Sequence, residues 1–230
     1  MGKTIAIMQP YFLPYIGYWQ LMKASDIFVV YDNIKYTKKG WVNRNRYLSN
    51  GKIKLFSIPL MKASNSLEIK DRYLAETYKL ESAKTLRKIK DAYAVSKNFH
   101  PCFNLIERCF NANENNLFEF IYNSVAIFKD VLGLRAQLVV SSSIACDHSL
   151  NSAERVKAIC TELGAESYIN PVGGEHLYER DDFQKLGINL RFLKPRIEEY
   201  PQLSCQFQPY MSILDICMSC TFDEVKNNII

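Results

Sequence analysis

The 230 residues are 48% hydrophobic and 23% charged, which excludes a disordered chain, collagen and a coiled coil. The longest wholly apolar run, residues 27–31, is far short of the roughly 20 residues a membrane-spanning helix needs, and no secretory leader is read at the start of the chain. A net charge of +5 is too mild for a dedicated nucleic-acid binder and suits phosphorylated small molecules. In chain order, residues 4–8 form an apolar strand and residues 17–24 a short helix. Residues 27–31 and 53–60 are further strands, the latter preceded by a turn at Asn50-Gly51. Apolar residues at helical spacing then cover 77–93, 98–110 and 113–132, and Gly133 stops the last. The lysines and arginines of 77–93 read as its solvated face. Alternation resumes with a strand at 135–140 and a helix at 152–163, with Ser152 as N-cap. A strand at 167–170, a helix at 177–186, a strand at 188–193 and a helix at 211–227 follow. This alternation predicts an α/β fold: a mostly parallel, Rossmann-like sheet with helices on both faces. Residues 1–230 are read as a single domain, with 75–132 as a helical insertion or lid.

Seven cysteines, at 102, 109, 146, 160, 205, 217 and 220, are an odd number in mostly apolar surroundings. Reduced, buried thiols in a cytoplasmic protein are the simplest account. Cys217 and Cys220 form a lone CxxC on a helical pattern, where both face a core. A zinc site would need two more ligands, which His100, His148 and His176 do not supply at a recognisable spacing, so no metal is expected.

Three segments carry polar chemistry at predicted strand ends, where parallel α/β sheets place their ligands. The first is MQPYFLPYIGY at 8–18. A strand ends there, two prolines turn the chain, and a helix begins near Gly17, offering free N–H groups suited to phosphate. Gln9, Tyr11, Tyr15, Gly17 and Tyr18 are its candidate ligand contacts. The layout resembles the HxGH nucleotidylyl-transfer superfamily, with Tyr15 and Tyr18 standing where that motif has histidines. A tyrosine can donate to a phosphate but brings no positive charge at neutral pH. The second segment runs from Asp32 to Arg46. Asp32 is the best candidate for a general base, or for a ribose or amine contact, or else caps a turn. Asn33, Lys35, Lys38, Trp41, Asn43, Arg44 and Asn45 combine phosphate-binding cations with amides and a ring face suited to a sugar or base; an exposed polar hairpin is the plainer alternative. Lys38 is also a catalytic candidate. The third segment is YINPVGG at 168–174, where Asn170, Gly173 and Gly174 let a ligand approach the backbone, with His176 as a possible acid or base and Tyr178 beside it. Ser141, Ser142 and Ser143, ending the preceding strand, can donate hydroxyls to the same cleft.

These runs resemble the WbqC-like family. The resemblance extends from about residue 7 to 225 and rests on the runs MQPYFLPYIGYWQL at 8–21 and DIFVVYD at 26–32, and on KKGWVNRNR at 38–46. Ala92-Tyr93, Phe99, the serines at 141–143, YINPVGG with Leu177-Tyr178, and Ser-Ile-Leu-Asp at 212–215 complete it. It implies a role in O-antigen, lipopolysaccharide or other surface-polysaccharide biosynthesis, and an enzyme transferring glycine to the amine of a nucleotide-linked amino sugar. It brings no residue roles of its own. The acyl group must arrive activated, through ATP and magnesium in this same site or as glycyl-tRNA. A nucleotidylyltransferase or another sugar-nucleotide-modifying enzyme is the first alternative; a non-catalytic nucleotide-sugar binding protein is the second. A homo-oligomer remains open.

Overall fold

Each apolar run between polar turns becomes a strand in the computed structural model, which describes residues 2–230. The strands are β1 (Lys3–Met8), β2 (Ile27–Val30), β3 (Arg44–Ser49), β4 (Lys52–Ser57), β5 (Gln137–Val140), β6 (Ala165–Pro171) and β7 (Asn189–Leu193). Five of them form one sheet in the order β5-β2-β1-β6-β7, with every neighbouring pair parallel. The first strand therefore lies in the middle. The chain adds β2 and β5 on one side of it, then crosses to lay β6 and β7 on the other. The order reverses between β1 and β6, and in open α/β sheets ligands sit outside the carboxyl ends of the strands at such a point.

Alternate residues of the strands feed two cores. Ile5, Ile7, Ile27, Val29, Tyr31 and Tyr168 pack with Val156 and Ile159 of α5 (Ser152–Glu162) and Phe183 of α6 (Arg180–Lys185). Ala6, Phe28, Val30 and Ile169 face the larger core. It contains α1 (Ile16–Lys23), α2 (Tyr78–Tyr93), α3 (Phe99–Phe110), α4 (Leu117–Val131) and α7 (Ile213–Ser219). A strand covered on both faces must be apolar throughout, which is why β2 reads as an unbroken hydrophobic run. The sheet is thus the parallel, doubly covered one that alternation predicts. Helices α2, α3 and α4 share the larger core with it, and Cys217 and Cys220 lie in that core too.

Four boundaries differ from expectation. Residues 53–60 shorten to β4, and its antiparallel partner β3 emerges from the polar run before Asn50-Gly51. Both turn residues have positive φ (51° and 68°), the conformation a two-residue hairpin turn requires. Asn151, not Ser152, caps α5, because its side chain accepts from Glu154 N (3.1 Å). The expected terminal helix breaks at Cys220, which is extended. There Thr221 starts a new turn, α8 (Phe222–Glu224), through reciprocal bonds with Glu224. The expected helix at 177–186 is a 3-10 turn over Val172–Leu177 followed by α6.

Candidate functional site

The parallel register sets the rim of the sheet. Met8 pairs with Val30, and Val30 with Val140, so Gln9, Tyr31 and Ser141 emerge level with one another. On the other flank Ala6 pairs with Ile169, which brings Gln9 level with Val172. Asp32 and Asn33 leave β2 toward the serines after β5. The Asp32 carboxylate is 2% exposed and accepts from Ser141 Oγ (2.7 Å), Ser142 N (2.9 Å) and Ser142 Oγ (2.6 Å). Ser141 Oγ also meets Asn33 Oδ1 (2.6 Å) and accepts from Asp32 N (3.2 Å). Asn33 Nδ2 in turn faces His148 Nδ1 (2.9 Å), while His148 Nε2 faces the Ile144 carbonyl (2.9 Å). A carbonyl only accepts, so these contacts assign the ring proton to Nε2 and leave Nδ1 to accept from Asn33. Ser142 is exposed at the rim. Its oxygen is open to an incoming group while its proton is held by a buried carboxylate.

Across the switch point, the Tyr168 hydroxyl links Asn170 Oδ1 (3.2 Å) to the Tyr178 hydroxyl (3.4 Å). A Cβ on residue 174 would stand 2.3 Å from Asn170 Nδ2, so a side chain there would displace the Asn170 amide; nothing crowds Gly173. Ser143 donates to the Val140 carbonyl (2.7 Å), closing the turn. Gln9 and His176 are exposed on separate loops, and Lys35 and Lys38 on the stretch before the hairpin. Neither Lys38 nor His176 bonds Asp32 among the described residues: the expected catalytic trio is not assembled, and Asp32 is joined to Ser142 instead.

Beyond β1 the side chains of the loop sort by face. Phe12 turns inward, stacked on Phe120 (4.9 Å) and edge-on to Phe110 (5.1 Å), and Leu13 and Pro14 are buried with it. Tyr11 and Tyr15 turn outward. The loop is clamped from two sides. Asn45 Nδ2 donates to the Phe12 (3.0 Å) and Leu13 carbonyls, and Ser212 Oγ donates to Leu13 O (2.7 Å). Ile213 N donates to Pro14 O (3.0 Å). Together these elements enclose a cleft of about 170 Å³ lined by Tyr11, Tyr15, Trp41, Asn45, Arg46 and Tyr210. The Arg46 guanidinium lies over the Trp41 ring at 4.6 Å and that of Arg44 at 4.9 Å. Arg44 is also tied to the Lys39 carbonyl. Burial pushes the Tyr11 phenol up, with Arg46 opposing, and pushes Tyr15 up as well.

Several expected contacts are corrected by this geometry. Tyr18 is 1% exposed, packed against Trp19 and Phe28, and belongs to the core. Gly17 is buried: the Tyr15 ring lies so close that a Cβ would meet it at 2.6 Å, so the ring, rather than a phosphate, covers the start of α1. Both ends of the Asn43 amide are used within the hairpin, accepting from Tyr36 Oη (2.8 Å) and donating to Ile58 O (2.7 Å). Tyr11, Tyr15, Trp41 and Asn45 do meet in one cleft, and Asp32, Asn33 and Ser142 in one network. Arg46, the end of the polar segment, joins the cleft, and Ser141, the first of the three serines, joins the network. Tyr210 and His148 were missed; Tyr210 has no local signal, since a bridge between Tyr15 and Ser212 places it.

The sequence pattern of the WbqC-like protein family matches residues 9–227. The chain belongs to the WbqC-like family. It is also similar to the uncharacterized protein Rv1507c of Mycobacterium tuberculosis (strain ATCC 25618 / H37Rv), 25% identical over 223 residues covering 93% of this chain and 92% of that one. The runs that carry the resemblance to the WbqC-like family are scattered in sequence, and the fold gathers them. The first builds the clamped loop and α1, and the third supplies Trp41 to Arg46. Tyr93 and Asp215, quoted from two distant runs, bond to each other. Asp215 also accepts from Tyr200 (2.7 Å) and Gln202 (2.9 Å). Burial pushes its carboxyl up, and these donors oppose the shift.

Proposed function

We propose that this WbqC-like protein is an enzyme of surface-polysaccharide biosynthesis, transferring a glycyl or other aminoacyl group to the amine of a nucleotide-linked amino sugar. Family membership supports the setting, O-antigen or lipopolysaccharide assembly. The single observation that carries the reaction is the pair of buried Asp32 and exposed Ser142, 2.6 Å apart at the carboxyl rim. A sugar ammonium is no nucleophile until it loses a proton. Ser142 Oγ takes that proton as its own passes to Asp32, and the freed amine attacks the activated carbonyl carbon. The C–N bond forms, and the bond to the leaving group breaks, whether that group is an adenylate made from ATP with magnesium or the ribose oxygen of glycyl-tRNA. The open backbone at Gly173 supplies polar contacts for the sugar across the switch point. Both substrates are made in the cytoplasm, where this reading places the protein.

The test is transfer of labelled glycine to thymidine- and uridine-linked amino sugars, with ATP and magnesium or with glycyl-tRNA. An amide product is expected, falling about 100-fold in Asp32→Asn, as loss of a general base does. No amide with either donor system overturns the reading. Pyrophosphate release without an amide favours nucleotidylyl transfer, and ligand binding indifferent to Asp32→Asn favours a non-catalytic binding protein.

A further inference from the structure

The cleft between the N-terminal loop and the β3–β4 hairpin has walls that point to one kind of ligand. Three tyrosine rings and a tryptophan line it, and Arg46 is the charged residue among them. The Arg46 side chain has no hydrogen-bond or carboxylate partner among the described residues, although its guanidinium rests on Trp41 (4.6 Å). Aromatic enclosures commonly attract cations. Here a fixed guanidinium already occupies that role, and no carboxylate lines the cleft, so an ammonium ligand would meet repulsion. The unmatched charge calls for an anion. A bare inorganic anion would leave the tyrosine rings unused. The size, about 170 Å³, suits one heterocycle rather than a run of stacked bases. The walls are also pre-set. Outside the hairpin turn, the non-glycine residues with positive φ among those described are Leu13 (50°) and Tyr210 (58°), one in the clamped loop and one in the lining. Backbone strain of that kind persists where surrounding contacts enforce it, and it gathers at ligand sites.

We infer that this cleft is a nucleoside diphosphate slot, with the base against Tyr11, Tyr15 and Tyr210 and the diphosphate on Arg46. The inference rests on the reading that the acceptor is nucleotide-linked, and it names the part of the chain that holds the nucleotide. Arg44, committed to the Lys39 carbonyl, supports Trp41 from beside it.

The chain has two tryptophans, and Trp19 is wholly buried, so a ligand in the cleft is reported by Trp41. The experiment titrates the full-length protein with uridine diphosphate and with thymidine diphosphate, following tryptophan fluorescence and calorimetry. A saturable fluorescence change is expected. Trp41→Phe should abolish most of the optical signal and leave the calorimetric affinity within about threefold, since a ring remains. Arg46→Gln should weaken binding at least tenfold, the loss of one charge-assisted contact. Tyr210→Ser, at an exposed position, should also weaken it and serves if Arg46→Gln does not fold by circular dichroism. Affinity unchanged in both variants overturns the inference. Pyrophosphate binding as tightly as the nucleotides overturns it in favour of a plain anion site. A CCA-ended oligonucleotide outcompeting both nucleotides overturns it in favour of an RNA end, and no saturable binding at millimolar nucleotide overturns it outright. These probes carry neither amino sugar nor glycine. The slot can therefore stand if glycyl transfer fails, and glycyl transfer can stand if the slot fails.

Discussion

Asp215 is fully buried, and its carboxyl is held by two phenols and an amide rather than by a cation. Removing water from a carboxylate disfavours the charged form, and the native pKa is raised above the ordinary 3.8. An acid with a raised native pKa contributes its full share to stability below its unfolded value and loses it as pH climbs through the native value. The wild type should therefore lose stability relative to Asp215→Asn as pH rises above 3.8, the difference levelling once Asp215 is ionised. Urea denaturation at a series of pH values reads this directly; the opposite slope would mean that the donors outweigh burial. Tyr93 is the link that carries the group, since its hydroxyl also accepts from Leu48 N (2.8 Å). Tyr93→Phe leaves a buried N–H unpaired and should cost about 2 kcal/mol. Both residues stand out in the sequence through the family resemblance, yet nothing in their spacing shows that they touch. Asp32 was legible as a polar residue ending an apolar strand. Its partners were not, because Ser141 and Ser142 arrive from a strand paired on the far side of β2.

At the scale of elements, the sequence discloses what is periodic and hides what is polar. Helices α2, α3 and α4 lie close to where their apolar spacing puts them. Strand β3 escaped because Arg44, Asn45 and Arg46 occupy half of it, and no hydrophobic alternation survives. Its side chains nevertheless organise the cleft. Asn45 is 2% exposed and spends both amide hydrogens on carbonyls of the N-terminal loop, while its own Oδ1 accepts from Arg46 N (2.8 Å). Asn45→Ala should cost about 1–3 kcal/mol by leaving buried acceptors unpaired. Asn45→Asp should cost more, although it is nearly isosteric, because a carboxylate oxygen would then face two carbonyls. Chemical denaturation of the two variants checks the order. If Asn45→Asp proves milder than Asn45→Ala, the amide of Asn45 does not hold the loop. The broken terminal helix teaches the same lesson. A threonine followed three residues later by glutamate restarts a helix, and at Thr221 that local signal overrides the apolar periodicity running through it.

For the whole molecule, the alternation of strands and helices gives the class of sheet but not the strand order, which depends on crossovers that no local pattern encodes. That order makes β1, β2 and β6 the shared wall of both cores, since successive residues such as Ile5 and Ala6 point to opposite faces. We propose on this ground that residues 1–230 unfold as one unit, the helical stretch included. The cysteines report on it. Cys102, Cys109, Cys217 and Cys220 lie in the larger core and Cys160 in the smaller, whereas Cys205 is exposed and Cys146 partly so. Burial pushes the Cys109 and Cys160 thiols up to about 12, so neither forms the reactive thiolate while folded. In native buffer a thiol reagent should modify Cys205 quickly and Cys146 more slowly. The five core thiols should become reactive together, at one denaturant concentration, as a two-state transition requires. Mass mapping of the labelled sites separates the alternatives. If Cys102 and Cys109 of α3 react well before Cys160, the helical stretch opens on its own while the sheet persists, as a separately stable insertion would. If Cys160 reacts first, the smaller face is the weaker one, and the shared strands do not couple the two cores.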